Sequence, residues 1–172
     1  LTVVNYTLFG AASGFLLATA YAAYMAPGLV KFYAAWTVII TTAVFVTRIA
    51  SLIRNARLKP KSTIQTAIGV RHSRVEQKSQ GFMGGSFNTR EFFHGVRPLF
   101  FKSIKWAFLI LVFPLPLFLL WAGLSLHAHG LEHSAYVFTA AFAVQYVGLL
   151  AERWFFFAQS NHPQNLYYQT IS

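Results

Sequence analysis

The sequence predicts an all-α integral membrane protein, a helical bundle with four transmembrane helices in this chain. Three observations point there. Of 172 residues, 56% are hydrophobic and only 10% are charged, at a mean hydropathy of +0.49, whereas a soluble domain carries roughly a quarter of its residues charged. Four long uncharged runs punctuate the chain, each near the length that crosses a bilayer. The net charge of +10 falls entirely between Arg48 and Lys105, where twelve Lys and Arg outweigh Glu76 and Glu91; elsewhere Lys31 and Arg153 cancel Glu132 and Glu152.

The first span is read in the uncharged stretch from Leu1 to Val30, whose small residues Gly10, Ala11, Ala12, Ser13 and Gly14 permit close helix approach before Pro27-Gly28 ends it. The second, Phe32 to Thr47, is only 16 residues. Lys31 and Arg48 lengthen it, because their aliphatic stems lie along the span while their charged heads reach the interface. The third runs uncharged from Trp106 to Leu131 and contains Pro114 and Pro116, which kink it unless neighbouring groups satisfy the freed carbonyls. The fourth runs from Ser134 to Ala151 and continues through Glu152-Arg153 into Trp154-Phe155-Phe156-Phe157. Tyr6, Tyr24, Tyr33, Trp106, Trp121, Tyr136 and Trp154 lie where interfacial aromatic belts would fall. The organisation expected is residues 1–53 as helices one and two, 54–97 as a basic loop, and 98–172 as helices three and four with a tail.

The connection carrying twelve basic residues should face the cytoplasm. Arg48, Arg54, Arg57, Lys59, Lys61, Arg97, Lys102 and Lys105 lie close enough to the spans to set that orientation. Four spans then put both chain ends on the same side, in a bacterial or archaeal cytoplasmic membrane. The first residue is Leu1, preceded by no charged n-region, so the stretch reads as part of a longer chain.

Chemistry is bounded by what is missing. With no cysteine the chain cannot ligate an iron–sulfur cluster or attach a c-type haem. The histidines divide by side, His127, His129 and His133 in the outer turn and His72, His94 and His162 on the cytoplasmic side. They do not add up to one metal site. No histidine falls in the interior of an apolar run, His127 and His129 lying at the end of the third, so no pair of facing span histidines is available for haem b. The run from His127 to His133 superficially resembles one histidine box of a membrane di-iron enzyme, but such enzymes need several on one face. No metal site is expected.

Glu152 and Arg153 are adjacent ionisable residues at a membrane edge, which reads by default as functional. Helix neighbours do not face each other, and Arg48 ends span two at the depth where Glu152 ends span four, so a Glu152–Arg48 ion pair is expected. The alternative is that each side chain reaches headgroups independently. The functional reading makes Glu152 a proton-exchanging group at a quinone headgroup. The loop divides into a basic, polar half from Arg54 to Lys78, suited to anionic headgroups or an acidic protein, and a half rich in glycine and aromatic residues, Gly81 to Gly95, suited to docking. Nucleic acid is not expected as a partner, since no nucleic-acid module is visible.

The segment Gly84-Gly85-Ser86-Phe87-Asn88-Thr89-Arg90-Glu91-Phe92-Phe93-His94-Gly95, and the ending from Ala151-Glu152-Arg153-Trp154 to Asn161-His162-Pro163-Gln164-Asn165-Leu166-Tyr167-Tyr168, resemble the membrane-anchor subunit of the dimethyl sulfoxide reductase family. Polysulfide reductase-type anchors are its wider kin. These anchors have about eight spans, so the resemblance implies the C-terminal half. It further implies a haem-free subunit that exchanges electrons with a quinone, menaquinone or ubiquinone, and holds an iron–sulfur subunit feeding a molybdenum catalytic subunit, as in anaerobic respiration. Iron–sulfur clusters and molybdenum cofactor would then sit on the partners. By the same resemblance Asn88, Thr89, Arg90, Glu91, Phe92, Phe93, His162 and Asn165 would dock the partner. Glu152, Arg153, Arg90 and His94 would serve quinone binding or proton transfer. One departure matters: the best-known members end outside with periplasmic catalytic subunits, whereas the charge pattern here turns both motifs inward. That favours an intracellular substrate, such as an aromatic or acyl-CoA compound, over dimethyl sulfoxide. The competing function is half of a secondary transporter, with the prolines of span three and the Gly-rich first span marking broken helices. Against it, no pair of interrupted spans lies in corresponding positions, and the intramembrane charges sit at one end rather than at the midplane.

Overall fold

A computed structural model of the chain describes residues 2–58, 63, 65–66, 69, 71–72, 98–131 and 133–159. Its elements are α1 (Thr2–Met25), a 3-10 turn (Pro27–Leu29), α2 (Val30–Arg57), α3 (Pro98–Val112), α4 (Pro114–Ala128) and α5 (Ser134–Ala158). No strand occurs among the described residues. Four helical stretches are long and apolar enough to cross a membrane: Thr2–Met25, Pro27–Arg57, Leu99–Ala128 and Ser134–Ala158. The fold is an all-α membrane bundle.

The helices outrun the uncharged stretches that announce them. α2 continues to Arg57, past both Thr47 and the boundary at residue 53, and the third span starts at Leu99 rather than Trp106. Arginine and lysine are good helix formers, so a charge ends an apolar run without ending a helix. Between α1 and α2 the chain reverses within the 3-10 turn, where Pro27, lacking an N–H, occupies a position that needs no donor. α4 ends in a Schellman motif: Gly130 takes φ 71° while its N–H donates to the His127 carbonyl at 3.1 Å, and the Leu131 N–H donates to the Leu126 carbonyl at 3.1 Å.

The chain divides into two compact units. The first, Leu1–Arg57 with Trp106–Glu152, contains the body of all four spans. Its inner face on α2 repeats every three or four residues through Val30, Ala34, Thr37, Thr41, Val44, Arg48 and Ser51. Leu16, Ala20, Ala22, Val30, Ala34, Leu120, Phe138 and Ala141 form one buried cluster. Small residues let the helices approach: a Cβ placed on Gly123 would lie 2.5 Å from Phe138 Cε1. Large apolar side chains such as Leu17, Ile39, Val46, Trp121 and Val147 are exposed. That is a liability in water but the ordinary outer face of a bundle in lipid.

The third span breaks at Phe113, with φ −112° and ψ −79°. Pro114 and Pro116 are the cause, because each removes a donor and crowds the preceding turn. The Phe113 ring is buried against Phe9 of α1, with centroids 6.1 Å apart, and edge-on to Phe45 of α2 at 4.9 Å. The two prolines thus interrupt the helix at Phe113, and the interruption is packed.

The second unit is Leu58–Lys105 with Arg153–Ser172. In its described part Phe101 stacks on Phe155, centroids 4.6 Å apart, and Phe100 meets Trp154 edge-on at 6.1 Å.

Candidate functional site

The first unit buries a layer of polar side chains near one end. Arg48 Nη2 lies 2.6 Å from Glu152 Oε1, with side-chain exposures of 4% and 1%. Arg48 is 18 residues beyond the start of α2 and Glu152 is 18 beyond the start of α5, about 27 Å along each helix. Both therefore reach the same level, which is the depth argument that pairs them in the sequence. The Arg48 guanidinium also sits over the Phe108 ring, 5.5 Å from its centroid, a cation–π geometry that lowers the cost of burying the charge.

One turn further along α2, Ser51 Oγ accepts a 2.9 Å hydrogen bond from Asn5 Nδ2 of α1. Asn5 is buried, and its Oδ1 has no hydrogen-bond partner among the described residues. Three of the four spans thus contribute polar groups at this level, and the third contributes the Phe108 ring. Two buried charges are expensive in a low-dielectric interior and persist only when mutually neutralised. Such a cluster can hold a proton, orient a polar headgroup, or both.

A second polar layer lies nearer the middle. Pro116 has no N–H, so the Val112 carbonyl loses its helical donor; Gln145 Nε2 of α5 supplies a substitute at 3.4 Å, a long hydrogen bond in a buried place. Gly148, one turn on, permits this approach, since a Cβ there would lie 2.8 Å from both Leu111 Cβ and Val112 Cγ2. Towards the turns between spans, the hydroxyls of Thr19 and Thr37 meet at 3.5 Å.

The residues expected at the site fall into three groups. Arg48 and Glu152 are together and buried. Arg153 is exposed and belongs to the second unit. Asn88, Thr89, Arg90, Glu91, Phe92, Phe93, His94, His162 and Asn165 lie outside the described residues. Just beyond α4, His129 Nδ1 contacts the Ser125 carbonyl at 2.6 Å. Among the described residues no group of three ligating side chains is placed to hold a metal ion. Asn5, Ser51, Thr41 and Gln145 were not expected. Thr41 and Ser51 stand seven residues before and three after Arg48, and Gln145 seven before Glu152, all at helical spacing, whereas Asn5 is on a different helix and carried no such signal.

No family model matches the chain, and no solved structure matches it. The whole chain, 172 residues, is 55% identical to a protein of Allochromatium vinosum named as a subunit of sulfite dehydrogenase. The chain spans about half of that relative's length, 51%. It is thus similar, along its entire length, to a subunit of an oxidoreductase.

Proposed function

We propose that this chain is half of the membrane subunit of a multi-subunit oxidoreductase, exchanging electrons between a quinone pool and an iron–sulfur partner that serves a molybdenum subunit. The observation that carries this reading is the 55% identity, along the whole chain, to a protein named as a subunit of a sulfite dehydrogenase. We infer sulfite, in place of an aromatic or acyl-CoA compound, as the substrate of the whole complex. Its oxidation consumes water and yields sulfate, two protons and two electrons. These 172 residues contain no cysteine and so no thiolate for a cluster, which fits a reading with the clusters on partner subunits.

Quinone accepts two electrons and two protons when it is reduced. The residues of the ion-pair layer fit such a group, because Arg48 carries N–H donors, Glu152 a carboxylate and Asn5 a buried Oδ1 with no hydrogen-bond partner among the described residues. Glu152 would hold a proton at its carboxyl and release it towards the headgroup. Arg48 would hold the carboxyl group in place between turnovers, and Phe108 would keep water from the guanidinium. The orientation that places this layer at the cytoplasmic boundary rests on the charge of the 48–105 segment.

The transporter reading is weaker. Among the described spans only the third is interrupted, and the Arg48–Glu152 ion pair lies near an end rather than at mid-depth.

The test is purification of the native protein from its membrane in detergent, with mass spectrometry of the co-purifying chains and metal analysis. Iron–sulfur and molybdenum subunits should co-purify, and the complex should reduce a soluble quinone analogue with sulfite. A chain that purifies alone, without iron or molybdenum, removes this reading.

A further inference from the structure

Thr41 and Gln145 differ from the polar residues around them. Thr7, Thr19, Thr37, Thr42, Thr47 and Thr139 each donate a hydroxyl hydrogen bond to a carbonyl of their own helix. Thr41 does not: it is 1% exposed, and its Oγ1 has no partner among the described residues. The hydroxyl that usually closes back on its own helix is here turned elsewhere. Gln145 is 2% exposed, and while its Nε2 serves the Val112 carbonyl, its Oε1 likewise has no partner among the described residues.

Helix register brings the two to one level. Val30 and Ala34 share a cluster with Phe138 and Ala141 near the starts of α2 and α5, and Arg48 meets Glu152 further along, so the two helices run parallel. Seven residues is nearly two full turns, about 10.5 Å, and returns to the same face. Counting back seven from Arg48 gives Thr41, and seven from Glu152 gives Gln145. A buried hydroxyl and a buried amide oxygen thus stand at the same depth on the inner faces of two parallel helices, each without a hydrogen-bond partner among the described residues.

Leaving buried polar groups unsatisfied is costly, and internal water commonly fills that need where at least two polar partners converge. We propose that Thr41 Oγ1 and Gln145 Oε1 bind an internal water inside the bundle. The water donates one hydrogen bond to Gln145 Oε1 and accepts one from the Thr41 hydroxyl. The network then runs from Thr41 of α2 through water to Gln145 of α5, and from the Gln145 amide to the carbonyl that Pro116 leaves free. Its effect is to fix the Gln145 rotamer, with oxygen towards α2 and nitrogen towards the break, so that one water ties three spans at the kink. This site lies two turns from the ion pair and stands whether or not the redox reading does.

The test uses the complete protein purified from its membrane. A density map fine enough to show ordered water should contain one within hydrogen-bond reach of both Thr41 Oγ1 and Gln145 Oε1. Thr41 bonded to the Thr37 carbonyl, or bonded directly to Gln145 with no water, overturns the proposal. A thermal-melting cycle gives a second readout. Thr41→Val should lower Tm by a few degrees while Thr41→Ser leaves it near the parent value, and Thr41→Val should cost little more once Gln145→Leu is present. An equal loss from Thr41→Val in both backgrounds shows that the two residues are uncoupled and also overturns it.

Discussion

Arg48 and Glu152, 104 residues apart in the chain, meet at 2.6 Å with both side chains buried, because each stands 18 residues beyond the start of its own helix. The pair neutralises itself, so its energetic weight shows when one partner is removed. Glu152→Ala or Arg48→Ala leaves a lone buried charge and should cost about 3–5 kcal/mol. Replacing both with apolar residues, Arg48→Met with Glu152→Leu, should recover much of that loss. Retention of the folded protein during heating in detergent reads both. A double variant as unstable as the worse single one would show that the two charges are held by other groups.

Function separates from stability in a gentler variant. Glu152→Gln keeps the shape and a hydrogen-bonding group but cannot carry a proton. If the proposed function holds and Glu152 relays protons, sulfite-driven quinone reduction by the assembled complex should fall about 10²-fold or more, the range typical of a positioned acid or base. Assembly with the partner subunits should remain intact. An unchanged rate in an intact complex would remove Glu152 from the proton path and leave the ion pair a structural device.

The break in the third span is repaired from outside the helix. Gln145→Leu strands the Val112 carbonyl and should destabilise the protein by about 1–3 kcal/mol. Restoring the missing donor should compensate: Pro116→Ala returns an N–H to that carbonyl, so the same Gln145→Leu change should cost less in the Pro116→Ala background. Melting temperatures of the four proteins decide it. Equal costs with and without Pro116 would mean that Gln145 stabilises through something other than the freed carbonyl.

Much of this architecture was legible in the sequence, and the parts that were not have physical reasons. The four spans follow from uncharged runs because hydrocarbon tolerates few charges. Their true ends at Leu99 and Arg57 did not follow, since Lys102, Lys105, Arg54 and Arg57 end the hydropathy signal but favour helix. The Arg48–Glu152 pair was readable because opposite charges at equal depth have few other options. Gln145 and Asn5 were harder. A neutral amide scarcely disturbs a hydropathy window, and its role appears only once Pro116 is seen to strip Val112 of its donor. Even so, a proline inside a span obliges some donor to exist, and Gln145, seven residues before Glu152 on one helix face, was the available one.

Glycines divide sharply by surroundings. A methyl group at Gly123 would press on the Phe138 ring, so Gly123→Ala should cost about 1–3 kcal/mol through repacking of the core cluster. At Gly14 a Cβ meets nothing within 4 Å, so Gly14→Ala should leave this unit unaffected or slightly steadier, given the better helix propensity of alanine. Paired melting curves of the two variants test the packing directly.

Orientation is the remaining link between charge and function. If the segment from Arg48 to Lys105 faces the cytoplasm, a cysteine placed at Arg57 should react with a membrane-impermeant maleimide only after the membrane is opened. One placed at Ala128, beside the Gly130 turn, should react in intact cells. The absence of native cysteine from this chain makes each introduced thiol a clean reporter, once thiols elsewhere in the complex are replaced. The opposite labelling pattern would move the Arg48–Glu152 layer to the outer boundary. Proton exchange at Glu152 would then draw on the outer aqueous phase, and the hydrophilic partners would face outward with it.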